Sequence, residues 1–185
     1  MQRRRFLAST ALLIAGASQA HSLLAQTRRT PDVVFVPTPN AVVDKMLEVS
    51  GVTAKDIVYD LGSGDGRIPI TAAQRYGARG VGIDINPIRI AQARKNAREA
   101  RVEDKVRFIE GDLFEANIGE ATVVTLYLLN SLNAKLRPQL MRDLKPGTRV
   151  VSHAFNMGDW QPERTETVNS STVYLWRIPA AAAQS

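Results

Sequence analysis

Four aspartates stand where one ligand could use them all. Asp60 ends the apolar run Ile57-Val58-Tyr59 and leads into Gly62-Ser63-Gly64-Asp65-Gly66. Asp84 follows Gly80-Val81-Gly82-Ile83 and precedes Ile85, while Asp112 lies between Gly111 and Leu113. A glycine turn between a strand and a helix sets backbone N–H groups and a helix N-terminus where an anionic group can dock. Here the spacing is G-x-G-x-G rather than the G-x-G-x-x-G that suits a pyrophosphate, and no Gly-Lys-Ser/Thr follows as a P-loop requires. Asp60 and Asp65 would repel a pyrophosphate; beside a ligand carrying an ammonium and a sulfonium they are favourable. Asp84, 18 residues beyond Gly66, is placed to accept both hydroxyls of an adenosine ribose, and Asp112 to accept from an adenine amino group. Each acid alone reads as a solvated loop residue or a helix cap. Together, at successive strand ends along one sheet edge, they read as a binding site.

That edge requires particular elements. Residues 57–60, 80–85, 106–110, 122–128 and 148–153 have the short apolar pattern of buried strands, and 163–168 with 172–178, joined by Asn169-Ser170-Ser171, form a closing antiparallel hairpin. Between them lie helical patterns over 68–76, with Pro69 in the first turn, over 87–100, with Asn86-Pro87 as cap and first residue, and over 131–144. Pro138 inside the last predicts a kink or a late start. Ahead of these, Val42, Val43, Met46 and Leu47 mark a capped amphipathic helix ending near Gly51. Strands alternating with helices imply an α/β fold: a mostly parallel seven-stranded sheet with helices on both faces.

The 185 residues suffice for one domain, expected over 31–178, with 179–185 an unstructured low-complexity tail. The formal charge of +6 suggests a polyanion partner until its distribution is read. Residues 1–30 carry five arginines and no acid, leaving 19 basic against 18 acidic groups elsewhere, so no nucleic-acid footprint is expected. The start, Arg3-Arg4-Arg5-Phe6-Leu7 with an apolar stretch to Ala17 and small residues before Ala20, has the layout of a secretory signal and resembles the twin-arginine type. Cleavage after Ala20, or after Ala25, would give a periplasmic protein. An uncleaved segment would give membrane association, and a non-working one a cytoplasmic protein. Zero cysteine removes disulfides, thiolate metal sites and cysteine nucleophiles, and two histidines leave no histidine-rich metal site.

The runs from Tyr59 to Gly66, Val81 to Asp84 and Glu110 to Leu113 resemble the first three motifs of the class I (seven-β-strand, Rossmann-like) S-adenosylmethionine-dependent methyltransferases. With Phe35-Val36-Pro37-Thr38-Pro39-Asn40, Arg67 and Trp160, the chain is similar to a subgroup of lysine N-methyltransferases that act on the ATP synthase c subunit and the adenine nucleotide translocase. The resemblance covers about residues 33–178. It implies S-adenosylmethionine as donor without a metal, Asp60 and Gly62, Ser63, Gly64, Asp65 and Gly66 at its methionine end, Asp84 and Ile85 at the ribose, and Asp112 and Leu113 at the adenine. A protein substrate, membrane-embedded in some cases, and no nucleic acid follow as expected partners.

Methyl transfer from a sulfonium is an in-line displacement needing positioned reactants and excluded water, so no triad is expected. A lysine acceptor must be neutral, through desolvation or a modest base. Tyr127, Asn130 and His153 stand at the ends of the fourth and fifth strands as candidates. Tyr127 also reads as a core aromatic and His153 as a hydrogen-bonded strand-end residue. The loop 156–162, with Met157 and Trp160, and the segment 35–40 are expected to roof the acceptor side, unless Trp160 is plain packing. The fourth strand lacks the Asn/Asp-Pro-Pro-Tyr motif of many nucleic-acid N-methylating enzymes. Small-molecule methylation and a non-catalytic S-adenosylmethionine-binding module are the alternatives; wrong glycine spacing puts nicotinamide chemistry last.

Overall fold

The computed structural model describes residues 35–180; residues 1–30, expected to be a signal segment, and all but the first two residues of the expected tail lie outside them. The elements run α1 (Asn40–Val49), β1 (Ile57–Leu61), α2 (Arg67–Tyr76), β2 (Arg79–Asp84), α3 (Pro87–Glu99), β3 (Val106–Glu110), β4 (Val123–Leu126), α4 (Asn130–Asp143), β5 (Arg149–His153), β6 (Arg164–Val168) and β7 (Ser171–Arg177). One sheet orders them β3-β2-β1-β4-β5-β7-β6. The first five strands are parallel, and β7 runs antiparallel to both β5 and β6. The expected hairpin is present, but its second strand, not its first, joins β5.

Two-sided burial explains the centre of this order. All of β1 and β4 is buried. Ile57, Tyr59 and Leu61 pack with Leu136 and Leu140 of α4 on one face, and Val58 packs with Val42, Met46 and Leu47 of α1 on the other. A buried side chain of this size contributes about 1.5–3 kcal/mol, so period-two alternation with both phases apolar holds a strand in the middle. By contrast β3 buries Val106 and Phe108 and exposes Arg107 and Ile109, as an edge permits. At the opposite ends of the strands, Asp56 accepts from Thr53 N–H (2.8 Å), Thr122 Oγ1 (2.7 Å) and Arg149 Nη2, tying the starts of β1, β4 and β5 together.

Three local expectations change. The fourth strand stops at Leu126 rather than Leu128, because its partner β1 ends at the paired Leu61 and turns into the glycine loop. Tyr127 and Leu128 therefore leave the sheet. Helix α1 begins at Asn40 with Pro39 at the cap and no side-chain capping bond. Pro138 sits inside a helix that starts early, at Asn130. The N–H it lacks would have bonded the carbonyl of Ala134, an exposed residue whose oxygen water can satisfy. Asn86 does cap α3, accepting from Ile88 N–H at 2.9 Å, with Pro87 first in the helix.

Candidate active site

β1 and β4 are neighbours in the sheet but their following connections depart to opposite sides, which opens a crevice at their carboxyl ends. A cavity lies there, lined from β1 and its loop by Asp60, Gly62, Ser63 and Asp65, from the end of β2 by Asp84 and Ile85, and from the end of β3 by Asp112 and Leu113. Tyr127, Leu128 and Leu132 close it beyond β4, and Phe35, Val36 and Thr38 cover it. Of the ten residues expected at the cofactor, eight converge on this cavity.

Gly64 and Gly66 do not line it; both serve close packing. A Cβ on Gly64 (φ +52°) would stand 2.0 Å from the Phe35 ring, and one on Gly66 (φ +79°) 2.5 Å from the Phe108 ring. These contacts let residue 35 lie on the loop and α3 approach the sheet.

The loop's own N–H groups are spent internally. Gly62 and Ser63 donate to the carbonyl of Ile83 (2.8 and 3.0 Å), Gly66 to that of Ser63 (2.9 Å), and Gly64 to Asp84 Oδ2 (2.8 Å). A phosphate would find none of these four N–H groups available, so the site is built from carboxylates. Asp84 also accepts from Asn86 N–H through Oδ1 at 2.8 Å, which fixes the carboxylate while each oxygen keeps a lone pair for a hydroxyl. Asp112 Oδ1 accepts from Phe114 N–H at 2.9 Å. The buried Ser63 hydroxyl has no partner among the described residues, a donor and acceptor left for a ligand.

Asp60 and Asp65 differ in kind. Asp65 is neutralised by Arg67, whose Nε and Nη2 lie 3.0 and 2.5 Å from its two oxygens. Arg67 Nη1 also donates to the Thr38 carbonyl at 2.8 Å, and the Arg89 guanidinium stacks 4.1 Å over the Phe35 ring, so two arginines secure the covering segment. Sequence alone marks neither as a site residue, although Arg67 directly follows the glycine run. Among the described residues Asp60 has no such cation. Burial pushes its carboxyl up to about 7, Thr125 Oγ1 counters by donating at 2.7 Å, and Asp84 and Asp65 add repulsion. Arg67 and Arg89 also line the cavity, but Arg67 is paired with Asp65 and Arg89 is stacked on Phe35, so the Asp60 carboxyl is left for a cationic group of the ligand, and the residues fit a sulfonium nucleoside bearing an ammonium group.

On the acceptor side Tyr127 lines the cavity, whereas His153 does not: its ring lies 3.9 Å, centroid to centroid, from that of Tyr127. Its Nδ1 is buried without a partner, contrary to the expected hydrogen-bonded histidine, and burial lowers its pKa, keeping the ring neutral. Asn130 Oδ1 accepts from Asn156 N–H at 2.9 Å. Met157 is fully buried in the core, and Trp160 packs 5.8 Å from Trp176, whose Nε1 donates to the Trp160 carbonyl at 2.7 Å. Loop 156–162 therefore contributes packing here, and the cover comes from residues 35–38. Among the described residues no cluster of three or more histidines, aspartates and glutamates is arranged to hold a metal ion.

Comparison with known proteins agrees with this geometry. The family model described as the ANTKMT methyltransferase domain matches residues 60–164. A protein-lysine N-methyltransferase of Saccharolobus islandicus is 47% identical over 153 residues, covering 80% of this chain and 95% of that one. The mouse ATP synthase c-subunit lysine N-methyltransferase is 29% identical over 146 residues, covering 79% of this chain and 58% of its own length. A solved structure from Salinibacter ruber, described as an RNA methyltransferase in complex with S-adenosyl-L-homocysteine, is 60% identical with a TM-score of 0.78, covering 81% of this chain and 98% of that one. The carboxylate-lined cavity at the β1/β4 switch and these matches converge: the chain belongs to the ANTKMT methyltransferase domain family and is an S-adenosylmethionine-dependent methyltransferase.

Proposed function

We propose that the acceptor is the ε-amino group of a protein lysine. The observation that carries this reading is the 47% identity, over 95% of its length, to a protein-lysine N-methyltransferase. The site's chemistry supports it. Beyond β4 the cavity is bordered by Tyr127, Leu128 and Leu132, with no carboxylate or imidazole. An apolar wall desolvates an incoming ammonium and so favours its neutral form. The donor supplies an activated methyl group. Asp60 and Asp84 orient it, residues 35–38 exclude water, and the amine's lone pair forms the N–C bond as the C–S bond breaks, its surplus proton passing to solvent. With no base lining the acceptor side, kcat/KM for a lysine peptide should rise about tenfold per pH unit above pH 7.

A second reading has one specific support, the description of the 60% identical Salinibacter ruber chain as an RNA methyltransferase. Against it stand the near-neutral charge outside residues 1–30 and the fourth strand's lack of an Asn/Asp-Pro-Pro-Tyr motif. Incubating the purified protein with methyl-labelled donor and, separately, a membrane-protein fraction, a soluble-protein fraction, total RNA and a small-molecule extract decides between them. Label in a protein band that yields methyl-lysine on acid hydrolysis is expected, in the membrane fraction if the acceptor is membrane-embedded. Nuclease-sensitive label would establish the RNA reading, label in small molecules that alternative, and donor binding without transfer a binding module. We further infer that residues 1–30 address the protein to the periplasm or its membrane, from Arg3-Arg4-Arg5-Phe6-Leu7 and the apolar stretch that follows.

A further inference from the structure

The end of β5 carries a strained turn next to the acceptor side. Phe155 N–H donates to the carbonyl of His153 at 2.8 Å across Ala154, whose φ is +63°. A three-residue turn of this hand is rare and strained, and strain of this kind persists only where surrounding contacts over-determine it. Those contacts come from the first turn of α4. Asn133, fully buried, directs Nδ2 at the carbonyls of Phe155 (3.1 Å) and Asn156 (3.3 Å) and at Ser152 Oγ (3.3 Å). Asn130 Oδ1 receives Asn156 N–H from the other side. The turn sets Phe155 with its ring 6.0 Å from that of Tyr127 and His153 3.9 Å from it, so Tyr127, which lines the cavity, is backed by two rings. Neither asparagine lines the donor cavity, nor does Ala154 or Phe155.

We propose that Asn133 and Asn130 are positioning residues for the methyl acceptor: they hold the Ala154 turn closed and thereby fix the His153 and Phe155 rings that back Tyr127, a residue of the acceptor wall. The wall's use for lysine rests on the proposed function; the positioning itself does not. The two asparagines act through opposite chemistry, Asn133 as donor and Asn130 as acceptor, so replacement by aspartate separates their roles from simple space filling.

The test uses the full chain with S-adenosylmethionine and poly-L-lysine as acceptor probe. Asn130→Ala, at an exposed position, is expected to lower kcat about tenfold, the loss of about one hydrogen bond's positioning, with the dissociation constant of S-adenosylmethionine unchanged within about twofold. Asn130→Asp, which keeps the acceptor, should restore kcat. Asn133→Ala should cost about 100-fold, the loss of two or more such bonds. A second readout needs no acceptor: the His153 ring protons, expected to be shifted upfield by the Tyr127 ring 3.9 Å away, should move toward free-histidine positions in the NMR spectrum of Asn130→Ala and return in Asn130→Asp. If that NMR pattern holds while the unaltered protein leaves poly-L-lysine unlabelled, the positioning stands and the lysine reading falls. Unmoved His153 resonances with unchanged kcat in Asn130→Ala overturn the proposal, as does an Asn130→Asp variant as impaired as Asn130→Ala.

Discussion

Asp60 lies buried at the end of β1, receives Thr125 Oγ1 at 2.7 Å and faces the further negative charge of Asp84 and Asp65. Its carboxyl, pushed up to about 7, is half protonated near neutrality when no ligand is present. A cationic ligand binds the ionised form better, so the affinity for S-adenosylmethionine should fall as pH drops below 7, by up to about tenfold per unit. Calorimetry between pH 5.5 and 7.5 measures this, and Asp60→Asn should flatten the profile at uniformly weak binding. The same group acts oppositely on stability. The folded state holds this proton more tightly than the unfolded chain, whose carboxyl titrates near 4. Stability of the ligand-free protein therefore declines as pH rises from about 4 through 7, by on the order of 4 kcal/mol. Asp60→Asn should thus raise Tm at pH 8 while impairing binding. Asp84 has a separate role, since its two oxygens hold Gly64 and Asn86 N–H groups and present lone pairs to the ribose. Asp84→Ala should weaken S-adenosylmethionine about 100-fold or more, two charge-assisted hydrogen bonds being lost, with circular dichroism unchanged. Asp60, Asp84 and Asp112 were legible from their places at strand ends. The neutralisation of Asp65 by Arg67 was not, because adjacency in sequence does not set which carboxylate a guanidinium faces.

The elements divide the work between the two ends of the strands. At the starts of β1, β4 and β5 the Asp56–Arg149–Thr122 cluster knits strands far apart in sequence, and hydrogen bonds from Thr122, Thr53 and Arg149 outweigh burial to lower the Asp56 pKa. Asp56→Ala leaves the mostly buried Arg149 with only the Ser50 and Gly51 carbonyls. It should cost about 2–3 kcal/mol in urea unfolding, with donor affinity unchanged because the site is at the other end. This contribution is present above the unfolded carboxyl pKa near 4 and is lost as pH falls through the lower folded value. Gly66→Ala tests the loop itself. Gly66 stands at the head of α2, and its Cβ would overlap Phe108 of β3 in a left-handed conformation that alanine resists, so a loss of about 2–4 kcal/mol is expected in the same measurement. Strand and helix existence was readable from hydrophobic period and turn residues. The end of β4 was not, because Tyr127 and Leu128 continue its apolar pattern while the partner strand has already stopped.

For the whole molecule, the charge that invites a polyanion partner is concentrated in residues 1–30, outside the described fold. Should that segment work as an export signal, fractionation will recover a shortened chain beginning near His21 or Gln26 outside the cytoplasm. A membrane-bound full-length chain would instead mark an uncleaved address, and a cytoplasmic one would overturn the inference. Export would also separate the enzyme from cytoplasmic S-adenosylmethionine, so compartment bears on turnover. By itself the sequence determined the fold class, the seven strands, the glycine loop and the acids at strand ends, because these depend on local period, turn chemistry and short-range spacing. Only the tertiary structure decided the strand order that opens the crevice between β1 and β4, and the removal of Met157, Trp160 and His153 from the cavity lining. The clamp of Asn133 and Asn130 on the Ala154 turn was also decided there. The physical reason is the same in each case. These features depend on which groups meet from distant parts of the chain, and burial, pairing and strain are properties of those meetings rather than of the residues alone.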